Sequence, residues 1–301
     1  MQKKTKVSLQ SKKLKSANNS INTLGSLYLS MFHRPNDIQE LFIHEGQSYP
    51  LSLSDEGKLY IPTKKSDIIT CIKAEETAIL KQFDMRDAIV LDGPVAVHSR
   101  PANTVSTFGE FAKQLFIPYL RSFGRRCHRL DVVWDKYDRM SLKNTCPEER
   151  GVGVQRQVGL NIKLPSKFDN FLRNNENKMN LFKFLNEYVY ANMELPEGKE
   201  VFLTGDESVI SMGTSRSMSA SNHEEADTRI VVHMVDALEG AISIEVVTTD
   251  SDIVVILTSL FHELSDTYGS IEIFVSYGYG SSSKLLSING ICAKLGERVS
   301  N

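Results

Sequence analysis

Ala88-Ile89-Val90-Leu91-Asp92 and Leu130-Asp131-Val132-Val133-Trp134-Asp135 are apolar runs of strand length, each closing on an aspartate. Between them, Thr107 to Ser122 carries Phe108, Phe111, Ala112, Leu115, Phe116 and Tyr119 at helical spacing, with Pro118 expected to kink the helix. Strand, helix and strand in that order predict a right-handed parallel crossover. The alternation continues downstream. A helical stretch over 166–193 and a strand over 200–204 precede a Ser/Gly/Met-rich loop at 205–221. Then follow a helix over 223–238, a strand over 243–249, a short helix around 252–264, a strand over 271–275 and a helix over 287–295. The fold class is therefore α/β: a central, mostly parallel sheet flanked by helices, with a mixed N-terminal extension.

Upstream of Asp87 the pattern is less regular. Residues 1–20 hold six lysines and no acid, which reads as a disordered basic tail, a nuclear-import signal or a nucleic-acid arm. Residues 21–86 form the extension, with short amphipathic helices at Ser26 to Phe32 and Asp37 to Phe42 and a helical candidate from Asp67 to Gln82. Residues 87–301 form the core, with a helical insertion at about 150–195.

Composition narrows the classes. With 41% hydrophobic residues the chain can build a sizeable core. Cys71, Cys127, Cys146 and Cys292 are scattered, without the spacing of a zinc site or a disulfide framework. The longest uncharged apolar stretch, Ile253 to Phe261, is too short to span a bilayer, and no secretory h-region is present. The expectation is an intracellular protein with no membrane partner, the nucleus being favoured. The net charge of -2 hides an asymmetry: Lys113 to Arg173 holds 13 Lys/Arg against 6 Asp/Glu, and Gly205 to Glu272 holds 13 acids against 2 arginines. A basic half beside an acidic pocket suits a polyanionic substrate gripped next to bound cations, although two solvated faces of opposite sign have the same composition.

The acids fall in an order that points to metal chemistry. Glu224-Glu225-Ala226-Asp227 opens a helix, with Asn222 as its N-cap candidate and Ala226, Ile230, Met234 and Leu238 as its buried stripe. Asp250-Ser251-Asp252 closes the strand Ile244 to Thr249. Taken singly, each cluster is also ordinary capping or loop chemistry, and Asp-x-Asp occurs in nucleotide-sugar transferases as well. Together with Asp92 and Asp135, however, they would meet at the carboxyl edge of a parallel sheet, where ligands bind. Hard oxygen donors suit Mg²⁺ or Mn²⁺, and two such ions can drive a phosphodiester displacement.

This arrangement resembles the flap-endonuclease (XPG-type) branch of the PIN-like nucleases over residues 88–300. The resemblance equates Asp92 with the family's first catalytic aspartate. Val133-Trp134-Asp135 matches its second, with Lys136 where the family has glycine. Lys143 and Arg150 fall where the family contacts the scissile phosphate. Glu225-Ala226-Asp227 resembles the acidic helix start, with Glu224 as the alternative because helical spacing pairs it with Asp227. Thr249-Asp250-Ser251-Asp252 resembles the second acidic strand end, with threonine for the leading acid. The helical stretch 166–193 falls where the family inserts its arch. The run Asn222 to Ile230 is similar to a multicopy set of animal proteins associated with mobile elements. The resemblance implies a metal-dependent nuclease acting on structured DNA or RNA, DNA being favoured, with Lys143 and Arg150 catalytic. It also implies two metal ions held by Asp92, Asp135, Glu224 or Glu225, Asp227, Asp250 and Asp252. A further Gly-Cys-Asp or Gly-Ser-Asp of the family does not appear before Asn301, so the second metal site is expected to be incomplete. The alternative is a catalytically impaired nucleic-acid or protein-interaction module that keeps the fold.

Overall fold

Arg86–Asp92 (β2) lies at the centre of the sheet, and its side chains alternate between two cores. Ile89 and Leu91 pack on one face, Ala88 and Val90 on the other. A strand buried on both faces needs a continuous apolar run, which is what this stretch supplies.

The computed structural model describes residues 18, 21, 22, 25, 26, 28, 29, 54, 55, 58, 59, 64–72, 78, 79, 84–136, 154–205, 208–218, 221, 223, 226–280 and 283–296. The chain divides into two compact units, Met1–Lys64 and Lys65–Asn301. In the first, Ser54–Asp55 pairs with Lys58–Leu59 as a short antiparallel ladder. The second contains the large sheet and starts upstream of Asp87, where the sequence pattern becomes regular. It opens with Asp67–Cys71 (α1) and Ala78–Ile79 (β1). Of the helix expected from Asp67 to Gln82, Asp67–Cys71 is helical and Ala78–Ile79 is a strand, while 73–77 and 80–82 lie outside the described residues.

After β2 come Gly93–His98 (α2), a helical rod (α3) and Cys127–Val133 (β3). The rod is an α turn, Phe108–Glu110, a π-helical segment, Phe111–Phe116, and a second α segment, Ile117–Gly124. Pro118 sits at the start of that last segment, where a missing N–H costs little, so the expected kink takes the form of a π segment. Phe168–Phe171 (α4) and Asn175–Asn192 (α5) lead to Glu200–Thr204 (β4) and Val209–Met212 (β5). Ala226–Leu238 (α6), Ser243–Thr248 (β6), Ser251–Tyr268 (α7), Glu272–Tyr277 (β7), Lys284–Ser287 (β8) and Ile288–Leu295 (α8) complete the unit.

Among the described residues the sheet has eight strands in the order β1-β8-β7-β6-β2-β3-β4-β5. The five from β7 to β4 are parallel, and β1, β8 and β5 add antiparallel edges. The mostly parallel α/β sheet expected from the sequence is present. Helices α2, α3 and α5 cover one face, and α6, α7 and α8 the other. From β2 the chain steps outward to β3 and β4, then α6 returns it to β6 on the opposite side of β2. That reversal creates a crevice at the carboxyl ends of β2 and β6, the usual place for a ligand in such sheets.

Two ionic networks are buried in the sheet. Arg129 pairs with Asp131 at 2.8 Å and with Asp236 at 2.5 Å, and His233 Nδ1 lies 2.7 Å from Asp131. Inside β6, Glu245 accepts from Arg126 at 3.1 Å and from Ser276 Oγ at 2.8 Å, with Arg86 Nε, at the amino end of β2, at 3.8 Å. Of the four arginines around the α3–β3 connection, Arg121 and Arg125 are exposed, whereas Arg126 is half-buried and Arg129 buried within these networks. Among the described residues, no helix is long and apolar enough to cross a membrane.

Candidate metal centre

Asp92 is the last residue of β2 and the N-cap of α2, with Val95 N donating to its Oδ1 at 3.4 Å. Its Oδ2 accepts from Thr248 Oγ1 at 2.8 Å, which ties the end of β2 to the end of β6. Only 7% of Asp92 is exposed. Burial, with the nearby charges of Asp135 and Asp227 and against the bonds from Thr248 and Val95, pushes its pKa up to about 7. The main cause is removal from water, which disfavours the ionised carboxylate; the neighbouring acids add to it.

Asp135 lies two residues beyond the end of β3, so the expected strand end is carried by Val133. Trp134 turns into the core, where its Nε1 donates to Asn186 Oδ1 at 2.8 Å and its ring stacks on Phe182. Asp135 Oδ1 in turn accepts from Ala226 N at 2.9 Å, which joins β3 to the first turn of α6. Arg229, buried on α6, reinforces that junction by donating to the carbonyls of Trp134 and Gly205 at 2.7 and 2.8 Å. Gly93 permits the close approach of β2 and β3 at this edge: a Cβ there would sit 2.2 Å from the Trp134 ring.

Asp227 sits in the first turn of α6. Asp250 caps α7, accepting from Asp252 N at 3.0 Å. One carboxylate oxygen from each of Asp227, Asp250 and Asp252 lies within 4.8 Å of the others, a grouping able to hold a metal ion. All three line a cleft of about 410 Å³ together with Asp92, Asp135, Lys65, His98, Thr249 and Tyr279. Five of the expected ligands, Asp92, Asp135, Asp227, Asp250 and Asp252, therefore converge on one cleft at the topological switch point. Glu224, Glu225, Lys143 and Arg150 lie outside the described residues, as does the N-cap candidate Asn222.

A cation within the chain already faces these acids. Lys65 Nζ lies 2.8 Å from Asp250 Oδ1 and 2.7 Å from Asp252 Oδ2. Burial alone would lower the ammonium's pKa, but its bonds to the two aspartates carry it above its usual value. Burial also works to raise the Asp250 carboxyl; the Asp252 N–H and Lys65 together bring it below the usual carboxylate range. Lys65 escaped sequence reasoning because it stands in a mixed polar stretch far from the acids. Thr248 and Arg229 escaped because a strand threonine and a helix arginine have no distinctive local signal. His98 also lines the cleft, and His233 is the buried partner of Asp131.

Comparison of the chain with protein families, curated proteins and solved structures finds no match.

Proposed function

We propose that the protein is a PIN-like, metal-dependent nuclease that hydrolyses phosphodiesters of structured DNA or RNA. The observation that carries this reading is the convergence of Asp92, Asp135, Asp227, Asp250 and Asp252, from three strand ends and one helix start, on a single cleft. The donor set is all hard oxygen, and one oxygen from each of Asp227, Asp250 and Asp252 lies within reach of a shared cation. Divalent ions bound there would supply Lewis acidity and an activated water. The chain's own residues do the positioning. Thr248 fixes the orientation of Asp92, the Ala226 N–H fixes Asp135, and the first turn of α7 fixes Asp250 against Asp252. Lys143 and Arg150 are the proposed phosphate contacts, on the resemblance to flap endonucleases. DNA is the favoured substrate on the same ground.

One observation favours the alternative of a catalytically impaired module. Lys65 already compensates two of the acids, as a residue in a retired metal site would. Thermal melting with Mn²⁺ separates the readings. The nuclease reading expects Mn²⁺ to raise the melting temperature, Asp250→Ala to suppress that rise, and a labelled flap DNA to be cut by the wild type but not by Asp252→Asn. A chain that neither responds to Mn²⁺ nor cuts is the impaired module. Cutting that survives Asp252→Asn belongs to a contaminant.

A further inference from the structure

A second and larger cleft, of about 830 Å³, adjoins the acidic one, and His98 lines both. The sign of its charge is reversed. Arg100, Lys163 and Lys167 face it, with Asp169 as its one carboxylate. None of the three cations forms a salt bridge with a described carboxylate. Lys163 and Lys167 are exposed, and Arg100 is held by its neighbour Ser99 and by packing of its guanidinium 4.1 Å from the Tyr119 ring centre.

The walls of this cleft are tied together by backbone bonds. The segment carrying the two lysines is laced to the start of α3 by Phe108 N to Ile162 O at 3.0 Å, Gly109 N to Leu160 O at 3.1 Å and Leu164 N to Ser106 O at 2.9 Å. A Cβ at Gly109 would sit 2.6 Å from the Leu160 carbonyl, so the two segments approach as closely as backbones allow. The lysines are therefore presented from a braced segment, opposite Arg100 at the end of α2.

We infer that the His98–Arg100–Lys163–Lys167 cleft is the track along which the phosphodiester backbone of a nucleic-acid strand reaches the acidic centre. The inference rests on the proposed function for its substrate class. Cations left without carboxylate partners beside an acidic cleft offer a polyanion its binding energy just outside the reactive centre, where the carboxylates themselves would repel it. A protein ligand with an acidic surface is the competing occupant.

The test is a salt titration of binding in EDTA, read by anisotropy of a fluorescein-labelled flap DNA between about 50 and 200 mM NaCl. Arg100→Gln/Lys163→Gln/Lys167→Gln is expected to bind at least about tenfold more weakly and to flatten the log–log salt dependence by about two to three, one per lost phosphate contact. Lys113→Gln/Arg121→Gln/Arg125→Gln removes the same charge from α3 and its C-cap and is expected to stay close to wild type. Because Arg100 packs on Tyr119, the exposed pair Lys163→Gln/Lys167→Gln serves as a second variant, with about two-thirds of the slope change. Equal losses in the cleft and control variants, or a wild type that binds no nucleic acid, would overturn the inference. Cleft-specific binding without cutting in Mn²⁺ would remove the hydrolytic reading and leave the track. Cutting by a wild type whose binding ignores the cleft variants would do the reverse.

Discussion

Asp92→Asn should make the metal-free protein more stable, increasingly so as pH rises from about 4 to about 7. The buried carboxyl has its pKa raised from 3.8 to about 7. Each pH unit of displacement is worth about 1.4 kcal/mol, so the ionised native state carries a penalty of about 4 kcal/mol. The direction follows from proton counting. Between the unfolded and folded values the native state holds a proton that the unfolded chain has released. Stability is therefore full below about pH 4, falls as pH rises, and the loss is complete above about pH 7. Asparagine keeps an oxygen to cap α2 and an amide group to meet Thr248, and it has no charge to bury. Allowing for imperfect hydrogen bonding, a gain of about 2–4 kcal/mol is expected near pH 8, or about 5–12 °C in melting temperature for a domain of this size. The assay is thermal melting of both proteins in EDTA from about pH 5 to pH 8. Adding Mn²⁺ should reverse the order, because the wild-type carboxylate gains a cation and the amide does not. A variant no more stable than wild type at the upper end, or a difference independent of pH, would refute the electrostatic account of the site.

Lys65→Met removes the tethered ammonium, so Mn²⁺ should bind at least about fivefold more tightly by calorimetry, while stability in EDTA falls. Unchanged affinity would mean that Lys65 and the ion do not compete. Gly93→Ala drives a methyl into the Trp134 ring and should cost about 2 kcal/mol or more in urea unfolding. Because it pries Asp92 from Asp135, it should also reduce the Mn²⁺ response. Asp131→Ala strips the buried carboxylate from Arg129 and His233, with an expected loss of about 3–5 kcal/mol by denaturant titration. A loss under about 1 kcal/mol would show that Asp236 alone suffices for Arg129.

The central strands were legible because strands buried on both faces leave no room for polar residues. Ile89, Val90 and Leu91 are the plain case. The edges were not. Val209–Met212 and Lys284–Ser287 are four residues each, and the half-exposed Val-Ile-Ser-Met resembles loop sequence. Helix α7 runs to Tyr268, beyond the expected 264: its last turn, Ser265-Asp266-Thr267-Tyr268, consists of modest helix formers, with Tyr268 packed on the core. At the site, aspartates that end strands or open helices could be read in advance, since parallel topology sends strand ends to one edge. What no local pattern could reveal is the long-range pairing: Lys65 across 185 residues to Asp250, and Thr248 across 156 residues to Asp92.

The Glu245 network draws on β2, β6, β7 and the residue before β3. Parallel apolar strands are poorly discriminating among themselves: a shift of valine against isoleucine changes little. A one-residue slip of β6, however, would turn Glu245 to the opposite core and strand Arg86 and Arg126 without a counter-charge. The network is expected to act as a ratchet pin for sheet assembly, rejecting near-native alignments that the apolar contacts alone would tolerate. Replacing Arg86, Arg126 and Glu245 together by apolar residues of similar size should leave stability nearly unchanged and double the amide resonances of β2 and β6. A single set of resonances would show that the apolar contacts suffice. Such a pin also guards the carboxyl edge, since any slip of β6 would scatter the aspartates that the strands deliver.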